Sequence, residues 1–208
     1  MNPEPTFDGR RARRERSRQA VVDAAFSLIL DGKGPPTADA VAERAGVSVS
    51  SIFRNFDGLA DIQQQALGQF RERFAHLLTA TPPDGSTLDQ RIAFFVRIRL
   101  DLYEQAHPLM AIARMRVLDD DTWVEPINRN RSTLAEQTRI SFRAEVDGRS
   151  PADAANLIAL LDALTSPEVY DLMTKFHARS RRQLSDIWTS GLRSAIAPHT
   201  TPERTTTP

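Results

Sequence analysis

The sequence predicts an all-α protein, with an N-terminal three-helix domain of helix-turn-helix type followed by a larger helical domain. Three observations predict it. Apolar residues recur at three- and four-residue spacing almost everywhere between residues 13 and 196. No stretch shows the β-branched alternation expected of strands. Glycines, prolines and two Ser-Pro pairs fall where the periodic segments end or begin.

Residues 1–9 carry two prolines and no periodicity, and are expected to form a flexible lead. The first helix should run from Arg13 to Leu30, with Val22, Ala25, Phe26 and Ile29 on one stripe and Gly32 and Gly34 stopping it. Pro35 and Pro36 lead into Thr37, a good N-cap for a short helix through Arg44. A third helix, Ser48 to Asn55, follows a tight turn. Asp57 can cap a longer fourth helix, whose Ile62, Ala66, Phe70, Phe74 and Leu77 share a face before Pro82, Pro83 and Gly85.

A fifth helix is expected from Ser86 to Ala106, broken by His107-Pro108. Short helical material reaches Leu118, and Asp119-Asp120-Asp121 reads as a loop. A more polar helix should occupy Thr122 to Val146. Ser150-Pro151 and Ser166-Pro167 each place a cap before a proline at the first helical position. The last helix carries Leu184, Ile187, Trp188, Gly191, Leu192, Ala195 and Ile196 on one stripe. The tail 198–208 has no apolar anchor and is expected to be disordered. The expected organisation is thus a flexible lead (1–9), a first domain (10–57), a second (58–197) and a tail.

Composition narrows the classes. Of 208 residues 40% are apolar and 26% charged, as in ordinary globular chains. No apolar run approaches the roughly 20 residues that span a membrane. The N-terminus lacks a secretory signal, so a cytoplasmic location on the nucleoid, with no membrane partner, is expected. With no cysteine, disulfides, thiolate metal sites and cysteine nucleophiles are excluded. His76, His107, His177 and His199 lack metal-ligand spacing and no phosphate-binding glycine loop occurs. No catalytic residue, metal or cofactor is therefore assigned.

The formal net charge is zero, but Arg10, Arg11, Arg13, Arg14, Arg16 and Arg18 crowd into nine residues against Glu15 alone. Such a block can serve as an electrostatic footprint on phosphates, or simply be a solvated basic tail. Downstream lies Thr37 to Phe56, TADAVAERAGVSVSSIFRNF. A helix-turn-helix needs a small residue where its helices meet, and Ala42 supplies it. Four residues later its turn needs a positive φ, which Gly46 adopts freely. Val47 plugs the space between the helices, Ser48 caps the recognition helix and Ile52 points into the core.

Over Ala24 to Ile62 the chain closely resembles the DNA-binding region of the tetracycline-repressor-like family. The resemblance rests on the long first helix, the threonine before helix two, Ala-Gly-Val-Ser, and Ile-Phe-Arg-Asn-Phe. Ser166 to Met173 resembles a stretch often found before that family's last helix. The resemblance implies a three-helix DNA-binding domain, a ligand pocket among the middle helices and dimerisation through the last two long helices. Two positions depart from the pattern. Phe53 and Leu59 stand where the family usually has a tyrosine and a lysine that contact phosphate.

Direction within the motif assigns expected roles. Val49, Ser50 and Ser51 begin the helix whose N-terminal end approaches base edges, with Ser48 beside them. Arg54 and Asn55 follow one turn later, and Thr37 can add a hydroxyl and a helix-terminal N–H to a phosphate. Arg10, Arg11, Arg13 and Arg14 are expected to supply phosphate contacts. Phe53 lies among these DNA-facing positions, although core packing suits it better than DNA contact.

In the second domain Arg99 interrupts the apolar stripe of Ile92, Phe95, Val96, Leu102, Tyr103 and Ala106. A charge in an apolar interior needs a partner: either an anionic ligand or an internal carboxylate. Phe95, Tyr103, Arg114 and Trp123 complete the candidate ligand set. Leu157 and Leu161, with Leu184, Ile187, Trp188 and Leu192, are the expected dimer interface of two helices per subunit.

The expected function is a ligand-responsive, sequence-specific transcriptional regulator, a repressor by family habit. Its partners would be a pseudo-palindromic double-stranded DNA operator, a small-molecule effector and a second copy of the chain. A rival reading is a helix-turn-helix-derived protein-interaction module that has lost specific DNA binding. Catalysis is the less favoured rival.

Overall fold

The computed structural model describes residues 7–32 and 34–197, giving only the backbone of Phe7, Asp8 and Arg10. The rest of the expected lead (1–6) and the expected tail (198–208) lie outside the described residues. Among the described residues there is no strand. The elements are α1 (Phe7–Leu30), α2 (Ala38–Ala45), α3 (Val49–Asn55), α4 (Leu59–Gly68), α5 (Phe70–Arg73), α6 (Ala75–Leu78), α7 (Leu88–Arg116), α8 (Val124–Ser141), α9 (Arg143–Val146), α10 (Pro151–Leu164), α11 (Pro167–Asp171) and α12 (Arg181–Ile196). A 3₁₀ turn, Asp121–Trp123, precedes α8, and a π-helical turn, Leu172–Phe176, follows α11. None of the described helices is long and apolar enough to cross a membrane.

The chain forms two compact units. Of the described residues, one contains those up to Thr79 together with Leu102–Ser132; the other contains Ala80–Asp101 and those from Thr133 to Ala197. In the first, α1 packs on α2 and α4, burying Val22, Ala25, Phe26 and Ile29 against a core that includes Val41, Ile52, Ile62 and Ala66. Full burial of side chains such as Ile29, Ile52 and Ile62 stabilises the unit by roughly 1.5–3 kcal/mol each. Phe74 meets Phe70 at 5.3 Å and Phe26 at 6.3 Å between ring centroids. Asp23 accepts from Gln19 (3.1 Å), Gln69 (3.0 Å) and Arg73 (2.9 Å). Burial works to raise its pKa, but these bonds and the Arg73 charge hold the carboxyl below its ordinary value.

In the second unit Ile92, Phe95, Val96 and Leu100 of α7 are buried, as are Phe142, Val146 and Leu157. Phe95 meets Phe142 edge-on at 5.1 Å. α10 packs on α12, with Leu161, Leu184, Trp188, Leu192 and Ile196 buried. Ser150 and Ser166 cap α10 and α11 through the amides of Asp153 and Val169, while Ser180 and Gln183 form a capping box for α12.

Several expected boundaries move. α1 begins at Phe7 rather than Arg13, because arginine is a good helix former and nothing stronger than Gly9 interrupts the run. Pro108 does not end the fifth helix but lies inside α7. An internal proline costs about 3 kcal/mol or more. The buried flanking residues Ala106, Leu109 and Ile112 offset it at roughly 1.5–3 kcal/mol for each large side chain. Asp57 does not cap α4. Gly58 occupies that position at φ 129°, and the Asp57 amide instead donates to Asp61 Oδ2 at 3.2 Å. The fourth helix is interrupted at Gln69 and Phe74, beginning just after Gly68, where helix propensity is weakest. The polar helix starts at Val124 and breaks at Phe142, whose φ of −118° and ψ of 29° are not helical.

Candidate nucleic-acid interface and neighbouring cavity

The turn between α2 and α3 follows from local chemistry. Thr37 Oγ1 accepts from the Ala40 amide at 3.3 Å, opening α2. Gly46 is left-handed, at φ 68° and ψ 33°. The Gly46 amide bonds Glu43 O (3.2 Å) and the Val47 amide bonds Ala42 O (3.0 Å). This pattern satisfies carbonyls that the helix end would otherwise leave unpaired. Ala42 is buried beneath the turn, and Ile52 roots α3 in the core.

Ser48 caps α3 by accepting from the Ser51 amide at 3.2 Å. Ser48 Oγ and Ser51 Oγ lie 2.8 Å apart, and Arg54 Nη2 donates to Ser51 Oγ at 2.8 Å. The Arg54 guanidinium is thus held by a short hydroxyl relay on an exposed face. Thr37, Ser50 and Arg54 are exposed, while Val49, Ser51 and Asn55 are half-buried. Phe53 corrects the expectation of core packing: it is 56% exposed, because Ile52 on the inward face of this short helix and Phe56 just beyond its end already fill the core.

The arginine-rich stretch divides in two. Arg11 and Arg13 are exposed on α1, and the Arg10 side chain lies outside the described residues. Arg14 Nε donates to Asn55 Oδ1 at 2.9 Å, and Arg18 donates to the Asn55 carbonyl oxygen. The Arg18 guanidinium also stacks 4.4 Å from the centroid of the Phe56 ring. Asn55 Nδ2 in turn donates to Ser51 O at 2.7 Å. Asn55 and Arg14, expected to face DNA, therefore brace the C-terminal end of α3 against α1. Arg18 was missed as a brace, although its four-residue spacing from Arg14 puts both on one face of a helix.

The first unit also holds a cavity of about 250 Å³ beside Trp123. Leu67 and Gln64 of α4, Arg71, and Ile127 and Asn130 of α8 line it. Nearby, Arg116 at the end of α7 donates to the buried Gln63 Oε1 through Nε (3.1 Å) and Nη2 (2.6 Å), tying α7 to α4. Of the five residues expected to hold a ligand, Trp123 lines this cavity. Tyr103 is fully buried in the same unit and Arg114 half-buried.

Phe95 and Arg99 belong to the second unit. Arg99 is buried and donates through Nη2 to Leu134 O (2.7 Å), Thr138 Oγ1 (2.9 Å) and Asp162 Oδ1 (3.3 Å). Its guanidinium lies 4.8 Å from the centroid of the Phe95 ring. The internal carboxylate is therefore its partner. Burial pushes the Asp162 carboxyl above its ordinary pKa, outweighing the Thr138 hydrogen bond and the Arg99 charge that pull the other way.

Five of the six residues expected at a dimer interface (Leu157, Leu161, Leu184, Trp188 and Leu192) are buried within their own unit. They fill its core, as the inner stripe of packed helices must. Ile187 is 40% exposed, and Leu160, Leu172 and Phe176 are exposed apolar residues of the same unit. Among the described residues no group of His, Asp and Glu is arranged to hold a metal ion.

No family model and no curated protein matches the chain. Its fold is similar to that in the crystal structure of "the putative transcriptional regulator from Pseudomonas aeruginosa PAO1". That similarity has a TM-score of 0.59 at 16% sequence identity, over 94% of this chain and 93% of the other. At this identity the likeness is one of fold.

Proposed function

We propose that the chain is a ligand-responsive, sequence-specific DNA-binding transcriptional regulator, acting as a repressor that a small molecule releases from its operator. Residues 10–57 bind DNA, and 58–197 carry ligand binding and dimerisation. The observation that carries this reading is the presentation of α3: capped by Ser48, turned by left-handed Gly46, braced by Arg14 and Arg18, and exposing Ser50, Phe53 and Arg54. The fold likeness to a protein described as a regulator supports it, as does the resemblance to the tetracycline-repressor-like family.

On this reading α3 enters the major groove. Ser50 and Arg54 reach base edges or phosphates, and the exposed Phe53 ring can touch a thymine methyl or sugar. Arg11 and Arg13 of α1, with Thr37, supply phosphate contacts that position the protein. The effector occupies the cavity beside Trp123, against α4. Because α4 packs on α1 and α1 is braced to Asn55, a displaced α4 would move α3. A ligand shifts that balance only by binding one arrangement better than the other. Two copies join through the exposed Ile187 and Leu160 faces of α12 and α10, setting their recognition helices roughly 34–36 Å or a multiple apart.

Selection from a random duplex pool tests this. A pseudo-palindromic motif with half-sites one helical turn or a multiple apart should emerge, and be lost on Ser50→Ala with Arg54→Ala. A pool that never enriches would refute sequence-specific recognition. The 56% exposure of Phe53 favours a second reading, a protein-interaction module built on the same motif. On that reading nucleic-acid binding would stay weak at all salt concentrations, because phosphate contacts alone confer steep salt dependence.

A further inference from the structure

The second unit holds a cleft of about 400 Å³, within the roughly 300–1,000 Å³ typical of small-ligand sites. One wall is the Thr81–Ser86 loop; the other comprises Arg91 of α7, Ile140 and Ser141 of α8, and the α9 segment.

The loop is held in place before any ligand arrives. Pro82 and Pro83 restrict it, and Gly85 turns it at φ 75°. Ser86 Oγ donates to Pro83 O at 2.6 Å, Arg91 Nη1 to Ser86 O at 2.7 Å, and Gln137 Nε2 to Ala80 O at 3.1 Å. A preorganised wall reduces the ordering penalty of binding.

Its lining contains buried polar atoms with no hydrogen-bond partner within the protein. Ser141 is 1% exposed and its Oγ is unpartnered, as is Arg91 Nε. Polar groups in such places are normally satisfied. These two atoms offer an N–H donor and a hydroxyl.

The charges decide what could satisfy them. The lining holds two arginines, Arg91 and Arg143, and two carboxylates, Asp84 and Asp147, so an ion of either sign meets as many like charges as opposite ones. A ligand hydroxyl both donates and accepts, and the apolar surfaces of Pro82, Pro83 and Ile140 suit the C–H face of a carbon backbone.

We propose that this cleft binds an uncharged polyhydroxylated molecule, a monosaccharide or polyol. One ligand hydroxyl accepts from Arg91 Nε, and another pairs with Ser141 Oγ. The site goes beyond the regulator reading and does not depend on it.

Calorimetry on the full chain tests the site with D-glucose, D-ribose and D-mannitol, against L-glutamate and inorganic phosphate as charged comparators. At least one neutral probe should bind at millimolar concentration or below, the sugars and the polyol separating the two sources. Ser141→Ala should weaken that binding roughly threefold to tenfold, the effect of one hydrogen bond. Ala144→Phe, at an exposed position lining the cleft, should abolish it. Ser141→Ala removes an unpartnered hydroxyl and Ala144→Phe enlarges an exposed side chain, so both should fold with unchanged helical circular dichroism. Failure of all three neutral probes, preference for glutamate or phosphate, or binding indifferent to both substitutions would overturn the proposal.

Discussion

Asp162→Ala should destabilise the protein more than Asp162→Asn does. In the folded chain Asp162 Oδ1 accepts from the buried Arg99 at 3.3 Å and from the Thr138 hydroxyl. Removing one partner of a buried ion pair costs about 3–5 kcal/mol. Two features reduce that here: the Asp162 side chain is 27% exposed, and Arg99 keeps Leu134 O and Thr138 Oγ1 as acceptors. The expected loss is therefore about 2 kcal/mol, near the cost of leaving a charged donor short of one acceptor. In urea denaturation followed by circular dichroism, that corresponds to a midpoint roughly 1 M lower. Asparagine keeps the volume and an acceptor oxygen but removes the charge opposite the buried Arg99, so its loss should be smaller than that of alanine, about 1 kcal/mol. The pH dependence has a definite sign. The folded carboxyl has a raised pKa, so between the ordinary and raised values the folded state holds more protons than the unfolded one. Stability contributed through this group falls as pH rises across that window, and the asparagine variant gains on the parent there. If Asp162→Ala left the urea midpoint unchanged, Asp162 would not be the partner that satisfies Arg99, and its guanidinium would be open to a ligand.

Other substitutions probe the remaining contacts. Gly46→Ala should lower stability by about 1 kcal/mol in thermal denaturation: a Cβ there meets nothing within 4 Å, so the penalty is that of the left-handed backbone alone. Arg18→Ala removes a donor to the Asn55 carbonyl and a cation–π contact with Phe56; DNA binding measured by anisotropy should weaken about tenfold, although the residue need not touch DNA. If two copies join as proposed, Ile187→Asp should give a monomer by light scattering with helical content intact, since the residue is 40% exposed and not part of the core. Ala178→Gly, at φ 50°, should raise the melting temperature slightly, relieving up to about 1 kcal/mol of strain.

What was legible in the sequence is what local chemistry determines. Thr37, Gly46 and Ser48 announce two caps and a left-handed turn within a dozen residues, and the structure has all three. The Ser-Pro pairs mark α10 and α11 for the same reason. Pro108 misled because its local penalty is outweighed by burial on both sides, which no short window reveals. Arg99 announced that it needed a partner without naming it, since Asp162 lies 63 residues away. The apolar stripes of α10 and α12 were visible, but a stripe alone does not tell which leucines meet the chain's own core and which face outward. Both cavities draw on residues far apart in sequence, so a single candidate such as Trp123 could be seen and its neighbours could not.

The measurement that bears most directly on the central claim is fluorescence anisotropy on duplex DNA from immediately upstream of the coding sequence, beside a scrambled duplex, across a salt series. Tight binding with a clear preference for the native duplex is expected, with an affinity whose logarithm falls linearly with the logarithm of salt concentration. Equal, weak binding to both duplexes, together with failure of a genome-wide fragment selection to find any preferred site, would contradict it.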